Sequence, residues 1–241
     1  MDIPVYLFTG FLESGKTSFI NDTITDPDFI DGQKTLLVLC EEGVEEYDEV
    51  ELAKSNISIV TVEEEEDLTE DFFKECESFY KPARVLIEFN GTWNVTNLVH
   101  EILPENFTVV QIISTIDATT FEMYNTNMKS MLMEQVGLSD LVVFNRCDEN
   151  MKKGSYKRSI KAVNRKATIY FEGKDGEPLP ETDDDLPYDI NASHLDLTTE
   201  DYGVWYMDAM EHPKKYTGKT VKFQAVVYKN RNFAPDTFVP G

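Results

Sequence analysis

Positive charge is scarce in this sequence: 22 Lys plus Arg stand against 45 Asp plus Glu, a formal net charge of −23 over 241 residues. So acidic a chain repels polyanions, which argues against unaided binding to nucleic acid or to an anionic membrane surface. Long apolar runs are missing as well. No stretch approaches the roughly 18 consecutive apolar residues of a membrane span. The N-terminal MDIPVYLFTGFL has no basic segment ahead of its short apolar run, so a cytoplasmic protein is expected. Cysteine is limited to Cys40, Cys76 and Cys147, an odd number without CxxC spacing. That pattern suggests neither a disulfide framework nor a structural zinc cluster, and buried thiols are expected instead. His100, His194 and His212 are too scattered to suggest a ligand set. Glycine and proline, 12 and 10 residues, are too few for a fibrous or disordered chain, and 41% hydrophobic content can supply a core.

Short β-branched or aromatic runs begin at Pro4, Thr35, Ile57, Arg84, Thr108, Asp140 and Ala167. Near-continuous apolar strands of this kind suit a parallel sheet covered on both faces. Helical stretches alternate with them over Lys16 to Thr25, Leu68 to Tyr80, Val95 to Leu103, Thr119 to Gln135 and Ser155 to Lys166. The alternation predicts an α/β fold with a doubly wound, mostly parallel sheet over residues 1–172. Residues 173–197 carry glycines, prolines and a run of acids, and read as an exposed acidic linker. Residues 198–241 read as a helix, Glu200 to Met210, followed by an amphipathic strand with Val221, Phe223, Ala225 and Val227 on one face. Too little chain follows to close a barrel or sandwich, so an incomplete C-terminal β element is expected: either this strand docks on the first domain or the chain stops inside a second, small β domain.

The most specific segment is Gly10 to Thr17, GFLESGKT, a full match to G-x-x-x-x-G-K-[ST] placed between a strand and a helix. Gly10 and Gly15 let the backbone curl so that successive N–H groups, including those of Glu13 and Ser14, point at phosphate oxygens. The following helix adds its positive end. Lys16 supplies a mobile charge to the β and γ phosphates, Thr17 a hydroxyl to Mg²⁺, and Ser18 a second hydroxyl near the α phosphate.

Such a site needs an acid at the end of another strand. Glu88 closes the apolar run RVLIEF, where it can hold a magnesium-bound water or orient an attacking one, and Gly91 can present its N–H to a γ phosphate. Glu41 and Glu42 follow TLLVLC in a glycine-containing acidic loop suited to a nucleotide-sensitive switch, or to simple solvation. The run Glu63 to Asp67 reads as an exposed face or a helix N-terminus. Asn145, Arg146, Cys147 and Asp148 follow the DLVVFN strand, where an Asp can accept from guanine N1 and N2 or simply cap a helix. Arg146 can cover a base face with its planar guanidinium.

In order, PVYLFTGFLESGKT, the CEEG loop from Cys40, IEFNG from Ile87, STIDA from Ser114, NRCD from Asn145 and KAVNRKATIYF from Lys161 resemble the CobW/HypB/UreG family of metal-related accessory GTPases. The resemblance covers roughly residues 3–172 and implies a P-loop GTPase acting slowly on the β–γ phosphoanhydride. It places phosphates and Mg²⁺ at Gly10, Gly15, Lys16 and Thr17, switch I at Glu41, the second switch at Glu88 and Gly91, and the base at Asn145 and Asp148. Lys16, Glu88 and Glu41 are the catalytic candidates, with Thr17 and Glu88 as metal ligands. It further implies Zn²⁺, Co²⁺ or Ni²⁺ as cargo, although the C-x-C-C motif usual in one branch is missing here. The tail from Asp201 looks like the opening of a small β domain in a bacterial family of permease partners. Expected partners are therefore a guanine nucleotide, a metalloprotein client or a permease, and a second copy of the chain. The alternative reading is a nucleotide-gated binding module with little turnover.

Overall fold

The computed structural model describes residues 2–26, 29, 32–41, 43, 47–148, 151, 153–179, 186–228 and 239–240. They belong to two compact units, residues 1–151 with 160–179, and residues 152–159 with 180–241.

The first unit is built on seven strands: β1 (Ile3–Thr9), β2 (Thr35–Leu39), β3 (Ile57–Thr61), β4 (Arg84–Glu88), β5 (Phe107–Asp117), β6 (Leu141–Cys147) and β7 (Thr168–Gly173). They pair in the order β3-β2-β4-β1-β5-β6-β7, every neighbour parallel. All seven lie where the apolar runs predict them. Alternate residues of these strands face opposite ways, so a run apolar at every position feeds two cores. Leu36, Val38, Val85 and Ile87 pack on one face with Phe73 and Leu98, while Leu37, Leu86 and Phe8 pack on the other with Ile20, Ile24 and Leu52. The sheet is thus covered on one side by α1 (Lys16–Thr25) and α2 (Glu49–Lys54), and on the other by α3 (Glu70–Tyr80) and the turn after β4. Truncating a residue as buried as Leu86 typically costs about 2–5 kcal/mol.

Several predicted bounds shift, each for a local reason. The expected helix from Thr119 to Gln135 is two, α5 (Phe121–Asn127) and α6 (Lys129–Leu138). Thr126 Oγ1 donates to the Glu122 carbonyl and Asn127 Nδ2 to that of Met123, and side chains competing in this way for helix carbonyls favour a break, here at Met128. The acid-rich stretch before Glu51 contains the short helix α2, started by Asp48, whose carboxylate accepts from the N–H groups of Val50 and Glu51. Val95–Asn97 is a single α turn, α4, continued by a π turn over Leu98–Ile102. The helix expected from Ser155 is α7 (Lys153–Lys161), which belongs to the second unit up to Ser159 and to the first from Ile160.

In the second unit β8 (His194–Asp196) pairs parallel with β9 (Thr220–Lys222), and α8 (Thr199–Glu211) opens with a capping box between Thr198 and Asp201. Tyr188, Leu195 and Leu197 form its core with Trp205, Tyr216 and Phe223 against them. Residues 186–197 of the expected linker therefore contribute core side chains, while 180–185 lie outside the described residues. The expected strand is regular only over Thr220–Lys222; beyond Phe223, Val226 and Val227 are exposed, and Val227–Tyr228 pairs separately with Val239–Pro240. No helix of the described residues is long and apolar enough to cross a membrane.

Candidate functional site

Strand order fixes where a site can open. β1 lies between β4 and β5, with β2 and β3 beyond β4 and with β6 and β7 beyond β5. A crevice therefore forms at the carboxyl ends of the strands beside β1, where the chain reverses its direction of winding.

The GFLESGKT segment fills that position. Gly15 adopts φ +94°, in the left-handed region, and a Cβ there would run into the Asn145 amide. Glu13 takes the left-handed conformation without glycine's freedom, at φ +61°. α1 begins at Lys16 with no side chain capping it and no acid in its first turn, which leaves its N–H groups and its dipole available to an anion.

Lys16 is only 2% exposed. Its Nζ donates to the carbonyls of Gly10 at 2.7 Å and Phe11 at 3.0 Å, and it pairs with the Glu41 carboxylate. Burial pushes the Glu41 carboxyl above its ordinary value against the opposing pull of Lys16, and nearby Glu88 adds to the rise. Thr17 Oγ1 donates to Glu88 Oε1 at 2.6 Å, while Glu88 Oε2 accepts from Tyr47 Oη at 2.5 Å. One 3% exposed carboxylate thereby joins the loop, the end of β4 and the segment after β2. A hydroxyl beside carboxylate oxygens is a hard oxygen donor set that fits Mg²⁺, which retains waters and takes its remaining ligands from phosphate. Ser14 Oγ bonds Thr115 Oγ1 at 2.8 Å, tying the loop to β5.

The opposite side is organised by an irregularity in β6, whose register shifts between Phe144 and Cys147. Asn145 Nδ2 donates to the Ser14 carbonyl at 2.7 Å, and its buried Oδ1 has no partner among the described residues. Arg146, at φ +52°, reaches the Glu13 carbonyl at 2.9 Å and Asp117 Oδ2 at 2.7 Å. Burial alone would raise the Asp117 carboxyl, but hydrogen bonds from Thr119 and Arg146 outweigh it and hold the group below its ordinary value. Asp148 lies exposed just beyond β6, its carbonyl accepting from Met151 N–H.

A cavity of about 410 Å³ is lined by Glu13, Ser14, Gly15, Lys16 and Thr17 of the loop, by Glu41 and Glu88, and by Arg146. Gly10, Ser18, Gly91, Asn145 and Asp148 stand outside that lining. Gly10 bonds Lys16, Gly91 presses on Gly10, and Asn145 supports Ser14, whereas Ser18 sits half-buried in the first turn of α1. Glu42 lies outside the described residues. Tyr47 and Gln135 escape a motif search, because each reaches the site from a segment with no fixed spacing to the loop, whereas Thr115 and Asp117 fall within the STIDA segment, which does not by itself reveal their contacts to Ser14 and Arg146.

Nothing comparable gathers around the sulfur or imidazole groups. All three cysteines are buried thiols, none of them in a disulfide among the described residues. Burial pushes the Cys40 thiol up to about 12, despite a hydrogen bond from the Asn90 backbone, so it is protonated at neutral pH. His100, His194 and His212 are exposed. Among the described residues no group of three or more His, Cys, Asp or Glu is placed to hold a metal ion.

Residues 4–171 match the model of the CobW/HypB/UreG nucleotide-binding domain. The chain belongs to the CobW/HypB/UreG family. Its first unit is accordingly a P-loop nucleotide-binding domain, and the tail resembling permease partners lies beyond the family match, with no comparison supporting that likeness. No curated protein matches the chain. Among solved structures, Zn(II)-bound YjiA GTPase from E. coli is similar at 19% identity and a TM-score of 0.51, covering 76% of this chain and 67% of that one. A Zn(II)-bound triple mutant of YjiA GTPase is similar at 22% identity and a TM-score of 0.50, covering 71% of this chain. This CobW/HypB/UreG chain spans 57% of the mutant's length. At these identities the likeness speaks for the fold.

Proposed function

We propose that the protein binds GTP with Mg²⁺ and hydrolyses it slowly, as an accessory GTPase in metal delivery or metallocentre assembly. The observation that carries this reading is the Thr17–Glu88 contact of 2.6 Å beside buried Lys16, in a cavity whose floor is an uncapped helix N-terminus. Lys16 and the loop N–H groups would bind the phosphates, and Thr17 and Glu88 would hold Mg²⁺, which neutralises charge building on the phosphoryl oxygens. Attack of water on the γ phosphate needs placement and electrostatic stabilisation more than covalent catalysis. Glu41, now paired with Lys16, must yield that lysine when phosphate enters, so nucleotide occupancy is coupled to the segment after β2.

Guanine preference rests on Asn145, Arg146 and Asp148 at the end of β6, with Arg146 positioned by Asp117. Metal cargo is supported by family membership and by the Zn(II)-bound YjiA neighbours rather than by a ligand cluster among the described residues. The test is phosphate release from GTP and from ATP, with and without Zn²⁺, Co²⁺ and Ni²⁺. Selective, metal-stimulated GTP turnover is expected; equal turnover of both nucleotides would refute the guanine assignment, and absence of any metal effect would refute the accessory role.

A further inference from the structure

We infer that Gln135 is a positioning residue for nucleotide discrimination: from α6 it fixes the Gly91 peptide against the phosphate loop, so that the site tells a triphosphate from a diphosphate. The inference rests on the nucleotide reading above and adds a residue from outside every motif.

Gln135 is an amide buried, with Leu132 and Val136, on α6. Buried amides are costly unless hydrogen-bonded. Its Nε2 donates to the Gly91 carbonyl at 2.5 Å, across 44 positions of sequence. Gly91 is itself constrained from the other side, because a Cβ on it would overlap the Gly10 carbonyl group. The flanking turn is closed by Asn90, whose side chain accepts from Thr92 N–H at 3.0 Å and Thr92 Oγ1 at 2.8 Å, and whose carbonyl accepts from Trp93 N–H at 3.0 Å. The turn is thus pinned at Asn90, pressed on Gly10 and held by its carbonyl from α6.

Two consequences follow from that arrangement. Gly10's carbonyl also accepts from Lys16 Nζ, so the Gly91 contact and the lysine that meets the terminal phosphates share one peptide group. Gln135 also lines the cavity that holds Lys16, Thr17 and Glu88. Loss of its hydrogen bond frees the Gly91 peptide to rotate, which blurs recognition of the outermost phosphate while leaving the inner phosphates on the loop N–H groups.

The experiment is titration of the full chain, wild type, Gln135→Met and Gln135→Glu, with Mg²⁺·GDP and with a Mg²⁺·non-hydrolysable GTP analogue, alongside thermal melts. Gln135→Met keeps the volume while removing the donor and adds no buried charge, so it reports even where the carboxylate variant fails to fold. The expected result is GDP affinity within about twofold of wild type and analogue affinity about tenfold weaker, the scale of one lost buried hydrogen bond. Equal weakening for both ligands marks a purely structural residue and overturns the inference, as does no change for either. Wild type that binds neither ligand overturns the nucleotide reading and this inference together, whereas wild-type binding with equal losses overturns this inference alone.

Discussion

The two sides of the cavity are built differently. On the side expected to meet phosphate, Lys16 and Glu88 are almost fully buried, and their charged atoms are tied to the loop, to Glu41 and to Tyr47. On the other side the Arg146 side chain is 43% exposed and Asp148 is exposed, with Asp117 and the Glu13 carbonyl holding the guanidinium. On the proposed reading, phosphate would meet buried groups that salt screens only weakly, once Glu41 releases Lys16, while the base would meet groups that water competes for. The contrast predicts that substitutions on the first side abolish binding and those on the second redistribute it.

Lys16→Ala should have the largest effect, weakening Mg²⁺·GTP by about 100-fold or more in calorimetry, since a buried charge-assisted contact to phosphate is lost. It also strands Glu41, so a melt of the Lys16→Ala/Glu41→Gln double variant separates lost binding from lost stability. Retained affinity in Lys16→Ala would break the comparison at its stronger side. Glu88→Gln keeps the shape between Thr17 and Tyr47 but removes charge, and should reduce the Mg²⁺ enhancement of GTP affinity about tenfold, read by titration with and without chelator. Asp148→Asn should weaken GTP about tenfold and leave ATP within about twofold; equal losses would remove Asp148 from base recognition.

The smallest effect belongs to Asp117→Asn. Because the folded carboxyl titrates below the ordinary 3.8, its contribution is present at neutral pH and is lost as pH falls through the lowered folded value. The substitution should cost about 0.5 kcal/mol near pH 7, a Tm shift of a degree or two. The gap should close in acid below pH 3.8, and a gap unchanged there would show that the Arg146 pairing contributes nothing to stability.

Much of the phosphate side is legible in the sequence because it is local. GFLESGKT sets the loop within eight residues, and a strand that is apolar until Glu88 delivers that acid to a fixed end of the sheet. The seven strands are equally plain, since a parallel strand buried on both faces has no polar alternation to confuse with a helix. What escapes is non-local or polar. Tyr47 follows an acid-rich stretch that reads as solvated, and Gln135 is one amide in a helix whose apolar residues do not form a single face. Asp117 closes a strand as an ordinary turn residue would, its carboxylate accepting from Thr119 N–H, and only the fold shows that it also holds Arg146. The break at Met128 depends on Thr126 and Asn127 bonding backward to carbonyls, which periodicity cannot register.

The most direct measurement is calorimetric titration of the wild-type chain with GTP and with ATP, each with and without Mg²⁺. The account predicts tight, Mg²⁺-dependent binding of GTP and at least tenfold weaker ATP. Binding of neither nucleotide, or GTP affinity indifferent to Mg²⁺, would contradict a phosphate site closed by Lys16, Thr17 and Glu88.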